Sequence, residues 1–187
     1  MKFLFQSFAF CLVFVFCSCE DDNSSSSSSS SNTNPNTNPS LSIKKILPGN
    51  WNVDDVEQKE GKNFLPGTST LVSTFTGVGE NVSGTMVFSE NPNTLNSTLE
   101  YDMKLDIKFQ NPIIPNQTPT IPVPAVTTSG TWAFDADSSI VFTDSSNQKV
   151  FYTVENKTNN SLELSTPINT TITGQNAGFL LYIYLSK

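Results

Sequence analysis

Apolar and polar residues alternate along most of the chain after residue 40, and this two-residue period predicts β-strands rather than helices. The clearest case is the twelve-residue segment Thr98–Phe109. Its apolar positions are Leu99, Tyr101, Met103, Leu105, Ile107 and Phe109, and polar residues stand between them. At about 3.3 Å per residue the segment spans roughly 40 Å, a length typical of curled antiparallel sheets and barrels.

Turn-forming residues divide the rest of the domain into further predicted strands. These are Asn50–Val56, Thr70–Thr76, Val82–Ser89, Val126–Phe134, Ser139–Thr143, Lys149–Glu155, Ser161–Ser165 and Gly178–Ser186. Gly77–Asn81 is predicted to be a hairpin turn between the second and third of these strands. Asn111–Pro124 contains five prolines, which lack the N–H that a central strand needs, and is predicted to be a long extended loop.

The last predicted strand is apolar on both faces. Left as an edge, Phe179–Leu185 would invite aggregation, whereas pairing with the first strand closes the sheet and removes the edge. The predicted fold is therefore an all-β antiparallel meander barrel of eight to ten strands, formed by residues 41–187. An open two-layer β-sandwich is the alternative.

The N-terminal residues have the composition of a targeting segment. The apolar run Phe3–Cys17 is shorter than the roughly 20 residues of a membrane-spanning helix and is typical of a secretory signal. Phe16-Cys17-Ser18-Cys19 resembles the lipobox of bacterial lipoproteins. The resemblance implies a signal peptide of residues 1–18, cleavage after Ser18 and acylation of Cys19. The alternative is an ordinary cleaved signal that leaves Cys19 as a free thiol.

Residues 19–40 are predicted to connect this anchor to the domain. Asn23–Ser40 contains no apolar residue and is predicted to be a disordered tether, with an r.m.s. reach on the order of 20–25 Å. Glu20–Asp22 resembles the acidic tag of surface-exported lipoproteins, and also suits the solvated start of a tether. The predicted location is the bacterial outer membrane, held by lipid on Cys19, on either of its faces.

Composition excludes several kinds of chemistry in the domain. The chain has a net charge of −7, no His, and lysine as its sole basic residue type. No His-based triad, His/Cys zinc site or Arg clamp for phosphate can be built, and nucleic acid is not an expected partner.

Asp135–Ser138 departs from the calcium-loop signature and is predicted to be a hairpin turn. Asp54, Asp55 and Glu57 are read as the solvated end of a strand, with an acid–base pair as the alternative.

Two Gly-x-Trp segments carry a family resemblance. Gly49-Asn50-Trp51 opens the domain, and Gly130-Thr131-Trp132-Ala133-Phe134 precedes a predicted hairpin. With the lipobox and the low-complexity linker, this pattern resembles the lipocalin-like lipoproteins of bacteria. The resemblance implies a meander barrel that holds a small-molecule cavity or its vestige. Unlike lipocalins proper, the chain has no Arg to cover the first Trp, no predicted C-terminal helix and no cysteine in the domain for a disulfide.

Large apolar side chains are the candidate functional residues. Those expected to line a cavity are Trp51, Tyr101, Met103, Leu105, Trp132, Phe134 and Phe151. If they fill the barrel they form a core, and if the interior is wider they line an apolar pocket. The first hypothesis is a barrel that binds a small hydrophobic or glycan-like ligand. The second is a solid barrel that contacts another envelope protein. An enzyme is the third, although the sequence indicates no catalytic residue, metal ligand or cofactor.

Overall fold

The computed structural model describes residues 42–136, 138–172 and 175–187. The predicted signal peptide, the acylation of Cys19 and the tether lie outside the described residues. The described elements are α1 (Ile43–Ile46), β1 (Gly49–Phe64), β2 (Leu71–Ser89), β3 (Thr94–Phe109), β4 (Thr120–Ala136), β5 (Ser139–Asp144), β6 (Lys149–Lys157), β7 (Ser161–Ile172) and β8 (Gln175–Ser186). None of the described helices is long and apolar enough to cross a membrane.

The eight strands form a closed barrel, and this confirms the predicted fold class. Each strand pairs antiparallel with the next in sequence, and β8 pairs with β1. The closing ladder places Val53 opposite Leu185 and Lys59 opposite Leu180. The open sandwich is therefore excluded.

The long alternating segment behaves as its pattern predicts. Tyr101 and Met103 are buried, and the other apolar residues of Thr98–Phe109 are partly buried. The polar residues between them point to the outer face because successive side chains alternate across a strand. The strands on average run longer than the sequence pattern indicates, with β1 reaching Phe64 and β7 reaching Ile172.

The prediction of a turn at Gly77–Asn81 is wrong, because this segment lies inside the single long strand β2. The two glycines face inwards. A Cβ on Gly77 would lie 2.5 Å from the Met103 sulfur, and one on Gly79 would lie 2.8 Å from Val82. Asn81 has a positive φ of 55° and accompanies a register shift between Glu80 and Ser83. These residues make a tightly packed β-bulge rather than a chain reversal.

The prediction that all of Asn111–Pro124 forms a loop is also wrong in part, because β4 begins at Thr120 and contains Pro122 and Pro124. The loop itself covers residues 110–119. Ile107 and Gln117 exchange backbone hydrogen bonds, and the Leu105 N–H donates to the Pro119 carbonyl (2.9 Å). By the alternation of an antiparallel ladder, Ile121 and Val123 continue the bonding to β3. Pro122 and Pro124 therefore turn their nitrogens away from β3, where no N–H is needed.

The end of the barrel where β1 begins is closed, and we call it the tryptophan end. One turn of helix, α1, buries Ile43 and Ile46, and Leu47 has no exposed surface (0%). The Trp51 indole N–H donates to the Leu47 carbonyl (2.8 Å). Trp132 donates to the Ser89 carbonyl (3.0 Å) and contacts the Phe88 and Phe134 rings edge-on. The opposite end, which carries the β1–β2 turn and the 110–119 loop, is called the open end.

Candidate functional site

The predicted cavity-lining residues divide into three groups. Trp51, Tyr101, Met103 and Trp132 are buried in the core, and Leu105 and Phe134 are partly buried against it. Phe151 lies outside the barrel with 49% of its surface exposed, so its assignment to the interior is wrong. Val150, Phe151 and Tyr152 are all apolar or aromatic, so the sequence leaves the inward face of β6 ambiguous. Pairing of Phe142 with Val150 and Ile140 with Tyr152 turns the even positions inwards.

A segment of wall is missing between β4 and β7 towards the open end. β5 has 6 residues and β6 has 9, against 17 in β4 and 12 in β7. Among the described residues, β4 pairs with β5 only from Gly130 onwards, and β7 pairs with β6 only up to Ser165. We call this opening the wall gap. It is bounded by residues 120–129, the turn 145–148 and residues 166–172.

The edges of the wall gap are protected by proline. Pro122 and Pro124 point their nitrogens into it from β4. Beside β7, the Lys187 N–H donates to the Asn160 carbonyl (3.1 Å). With this register, the even-numbered residues of β7 form their backbone hydrogen bonds with β8, and the odd-numbered residues turn theirs the other way. Pro167 therefore also faces the wall gap. Proline at an unpaired edge removes a donor that another strand would use, so the gap is kept open against strand addition.

Apolar side chains lie on the inner surface that the wall gap uncovers. They are partly buried, pack against the core and come from several strands. They are Leu99 and Leu105 of β3, Val123 of β4, Val150 and Tyr152 of β6, and Leu181 of β8. Further towards the open end, the Phe75 and Phe179 rings meet edge-on with their centroids 5.8 Å apart. The resulting surface is apolar, and all of these side chains except the buried Phe75 keep part of their area exposed to solvent.

A few polar groups accompany this apolar surface. Tyr101 and Tyr152 face the interior, and within the described residues neither hydroxyl has a hydrogen-bond partner in the protein. Burial raises the pKa of Tyr152 to about 12, and burial also raises the pKa of Tyr101, so both are neutral donors at physiological pH. The Gln148 side-chain oxygen, in the turn that borders the wall gap, is buried without a partner among the described residues. An apolar surface with a few convergent polar groups is typical of small-molecule sites.

Two hollows open on the outer face of the barrel rather than inside it. The first has a volume of about 290 Å³ and is lined by Glu60, Gly61, Lys62, Thr74, Phe75, Thr76, Asp106 and Lys108. The second, of about 150 Å³, lies beside it on β2 and β3. Most side chains around the first hollow are polar or charged and point outwards. Its floor is formed by Gly61 and the edge of Phe75, where a Cβ on residue 61 would be 2.5 Å from the ring.

The three β1 carboxylates considered as an acid–base pair have separate partners. Asp54 accepts from the Ser186 hydroxyl (2.8 Å), and Asp55 accepts from the Val56 N–H (2.7 Å). Glu57 belongs to a cluster with Lys59 and Tyr184, which we call the seam cluster because it joins β1 to β8. No group of three or more acidic or cysteine residues suited to a metal is found in the described part of the chain.

The seam cluster is a closed set of hydrogen bonds. Glu57 accepts from Lys59 (2.8 Å) and from the Tyr184 hydroxyl (2.6 Å), and Lys59 also donates to that hydroxyl (3.0 Å). The Lys59 ammonium stands 4.2 Å from the centre of the Tyr182 ring. Lys59 and then Tyr184 lower the pKa of Glu57, and Glu57 and then Tyr184 raise the pKa of Lys59. The lowered pKa keeps the Glu57 carboxylate ionised. An ion pair requires this form, whereas a proton-donating catalyst requires the protonated form.

Sequence reasoning missed the cover over Trp51. The Lys187 ammonium lies 4.4 Å from the centre of the Trp51 ring and donates to the Ile46 carbonyl (2.8 Å). Lys187 therefore covers Trp51 in place of the Arg that the chain lacks. The only available signal was a cationic residue at the end of the last strand.

No protein-family model, curated protein or solved structure matches this chain.

Proposed function

We propose that this protein is a lipid-anchored, lipocalin-like lipoprotein of the bacterial outer membrane that binds a small hydrophobic ligand at the mouth of its barrel. One observation carries the binding function. The wall gap exposes an apolar inner surface that a complete eight-stranded wall would cover. Solvent-exposed apolar surface of this kind is a recurrent mark of ligand grooves.

The packed tryptophan end sets the depth at which a ligand binds. Trp51 and Trp132 retain 1% and 3% of their exposed surface, and α1 covers that end. Small barrels of about eight strands are either filled or hold one small ligand. A ligand therefore enters from the open end or through the wall gap and rests above Tyr101 and Met103.

The lining indicates the ligand's chemistry. Val123, Leu181 and Phe179 offer apolar contact, and the Tyr101 and Tyr152 hydroxyls and the Gln148 amide oxygen offer hydrogen bonds. None of these lining groups is a cation that would pair with a phosphate or carboxylate. The ligand class is therefore a neutral or weakly polar molecule with one apolar body and a hydroxyl or amide, which includes the apolar face of a glycan.

The proposed anchor explains why such a site would serve the cell envelope. Several acyl chains on Cys19 would hold the domain at the membrane, at about 0.8 kcal/mol for each buried CH₂. A barrel kept there samples apolar molecules at the surface of the envelope. Radiolabelled palmitate incorporation into the wild-type chain, and its loss in Cys19→Ser, tests the anchor separately from the binding site.

Titration of the domain from Ser42 to Lys187 with a neutral N-alkyl dansylamide, which has an apolar chain and an amide but no charge, tests the binding site. We expect a saturable rise in dansyl emission. Val126→Lys puts a charge on the inner face of β4 beside the wall gap, and we expect it to weaken binding at least about tenfold, or 1.4 kcal/mol. Phe151→Lys is the matched control, since Phe151 is an exposed apolar residue on the outer face. Absence of saturable binding, or an equal loss in both variants, would overturn the proposed site.

A second function, contact with another envelope protein, is favoured by one observation. Phe151 places an aromatic ring on the outer wall, and exposed aromatic rings are enriched in interfaces. Cross-linking of the wild-type chain in intact cells, compared with Phe151→Ser, tests this function.

A further inference from the structure

Two loops at the open end expose apolar side chains at their tips. Ile113 is 87% exposed and Ile114 is 41% exposed in the 110–119 loop, and Leu65 is 43% exposed in the β1–β2 turn. The two loops lie at the same end because Ser73 pairs with Phe109 and the Gln110 N–H donates to the Val72 carbonyl (2.9 Å). We call these three residues the tip residues.

The exposure of the tip residues is built into the loops. The Ile113 N–H donates to the Asn111 side-chain oxygen (3.0 Å), and the Ile114 N–H donates to the Asn111 carbonyl (3.1 Å). In the β1–β2 turn, the Thr68 N–H donates to the Leu65 carbonyl (3.1 Å). Proline stiffens both loops at positions 66, 112, 115 and 119. Loops whose backbone bonds are satisfied in this way present their apolar residues outwards instead of folding them onto the barrel.

Neither loop contains a charged residue, although the chain has a net charge of −7. The polar residues around the tips are Asn, Gln, Thr and Ser, which are neutral. The β2–β3 turn at the tryptophan end differs, since it includes Glu90. A neutral surface tipped with Ile and Leu matches the interface of a zwitterionic bilayer, where apolar side chains enter the acyl region and neutral amides stay among the headgroups.

We infer that the open end docks on a lipid bilayer through the tip residues. The position of the chain's anchor permits this contact. Ser42, where the described chain begins, is at the tryptophan end, and residues 20–41 separate it from Cys19. These 22 residues can span at most about 75 Å, against about 50 Å for the 16 residues of β1. A chain anchored at Cys19 can therefore lower its far end onto the same membrane. The inference does not depend on the proposed ligand, because the tip residues lie outside the wall gap.

Tryptophan placed at the tip tests the inference directly. The full chain carrying Ile113→Trp is mixed with phosphatidylcholine vesicles whose acyl chains are either plain or brominated, since bromine quenches tryptophan that enters the acyl region. We expect a shift of the emission to shorter wavelength and quenching at least about threefold greater than in Phe151→Trp. Phe151→Trp is the matched control on the outer wall, and Trp51 and Trp132, buried at the other end, give a constant background that the wild-type chain measures.

Other occupants of the surface give different outcomes. Quenching equal in Ile113→Trp and Phe151→Trp overturns the inference. A spectral shift without vesicles that grows with protein concentration would assign the surface to a second copy of the chain, and a shift that requires an envelope extract would assign it to a protein.

Quenching that disappears in 1 M salt would indicate adsorption by charge and would also overturn docking by apolar residues, because apolar contact survives salt at this concentration. Ile113→Ser with Ile114→Ser is expected to abolish quenching of a Leu65→Trp reporter without affecting binding of the neutral dansylamide, which separates this inference from the proposed function.

Discussion

The seam cluster joins the first and last strands through side-chain contacts. The Tyr184 hydroxyl stands between Glu57 and Lys59 and is bonded to both. All three side chains are partly exposed, so the net stabilisation is far below that of a buried ion pair. The cluster therefore fixes the register at the seam more than it adds stability.

Tyr184→Phe is expected to lower the free energy of unfolding by about 0.5–1 kcal/mol at pH 7. The loss is expected to shrink at pH 3. The pKa of Glu57 is lowered in the folded protein, so its contribution is present above the ordinary value of 4.5 and is lost as the pH falls below it. Urea unfolding at the two pH values measures the difference. Tyr182→Phe is the control, since its hydroxyl has no hydrogen bond within the described residues, and an equal loss at pH 3 and pH 7 would contradict the role assigned to Glu57.

Whether an individual side chain points into or out of the barrel was predictable only where its strand has one apolar face. On β3 the alternation is strict, and Tyr101, Met103 and Leu105 lie where the pattern puts them. On β6 three consecutive aromatic or apolar residues gave no such constraint, and Phe151 was assigned to the wrong face. The contact of Lys187 with Trp51 joins residues at the two ends of the domain, and no local pattern encodes it.

At the scale of elements, glycine and proline carried the strongest local signals and were also the source of the errors. Gly77 and Gly79 were taken as turn residues, but they are small because Met103 and Val82 occupy the space where a side chain would lie. Pro122 and Pro124 were taken as evidence against a strand, but they stand at an edge that has no partner strand. Both errors have one physical cause. The local sequence shows that a residue is unusual, and only the neighbouring strands show why.

The edge prolines lead to a prediction about association. Pro122→Val with Pro124→Val restores N–H donors along the β4 edge of the wall gap and makes its run of donors continuous. We expect the variant to remain folded by circular dichroism but to aggregate at least about twofold faster than the wild type, because another chain can then add a strand there.

Static light scattering over time at fixed concentration measures the change in aggregation. Pro112→Val, in the exposed 110–119 loop, is the matched control and is expected to behave as the wild type. If the β4 variant stays as monomeric as the control, the prolines do not protect the edge.

At the scale of the whole molecule, closure of the barrel followed from one consideration in the sequence. A terminal strand that is apolar on both faces needs a partner, and the first strand was the one without a second neighbour. The wall gap could not be anticipated in the same way, because it depends on the unequal lengths of β5 and β6 relative to β4 and β7. Strand ends are set by competition between pairing and turn formation, which a one-dimensional pattern records poorly.

Closure also brings the two ends of the domain together. The Lys187 ammonium donates to the Ile46 carbonyl (2.8 Å), so the last residue lies beside the first helix. A circular permutant that joins Lys187 to Ser42 through a linker of about six Gly/Ser residues, and opens the chain between Pro115 and Asn116, keeps every strand intact. We expect it to fold with a free energy of unfolding within about 1–2 kcal/mol of the parent domain.

The matched permutant opens the chain between Gly79 and Glu80. Local sequence alone marks this site as a turn, whereas the structure places it in the middle of β2, with Gly79 paired to Met103. Cutting there removes strand pairing on both sides, so this permutant is expected to remain unfolded by circular dichroism and tryptophan fluorescence. If the Pro115 permutant failed to fold, the adjacency of the two ends would be wrong. If the Gly79 permutant folded as well as the parent, β2 would be two strands and the barrel would have a different wall.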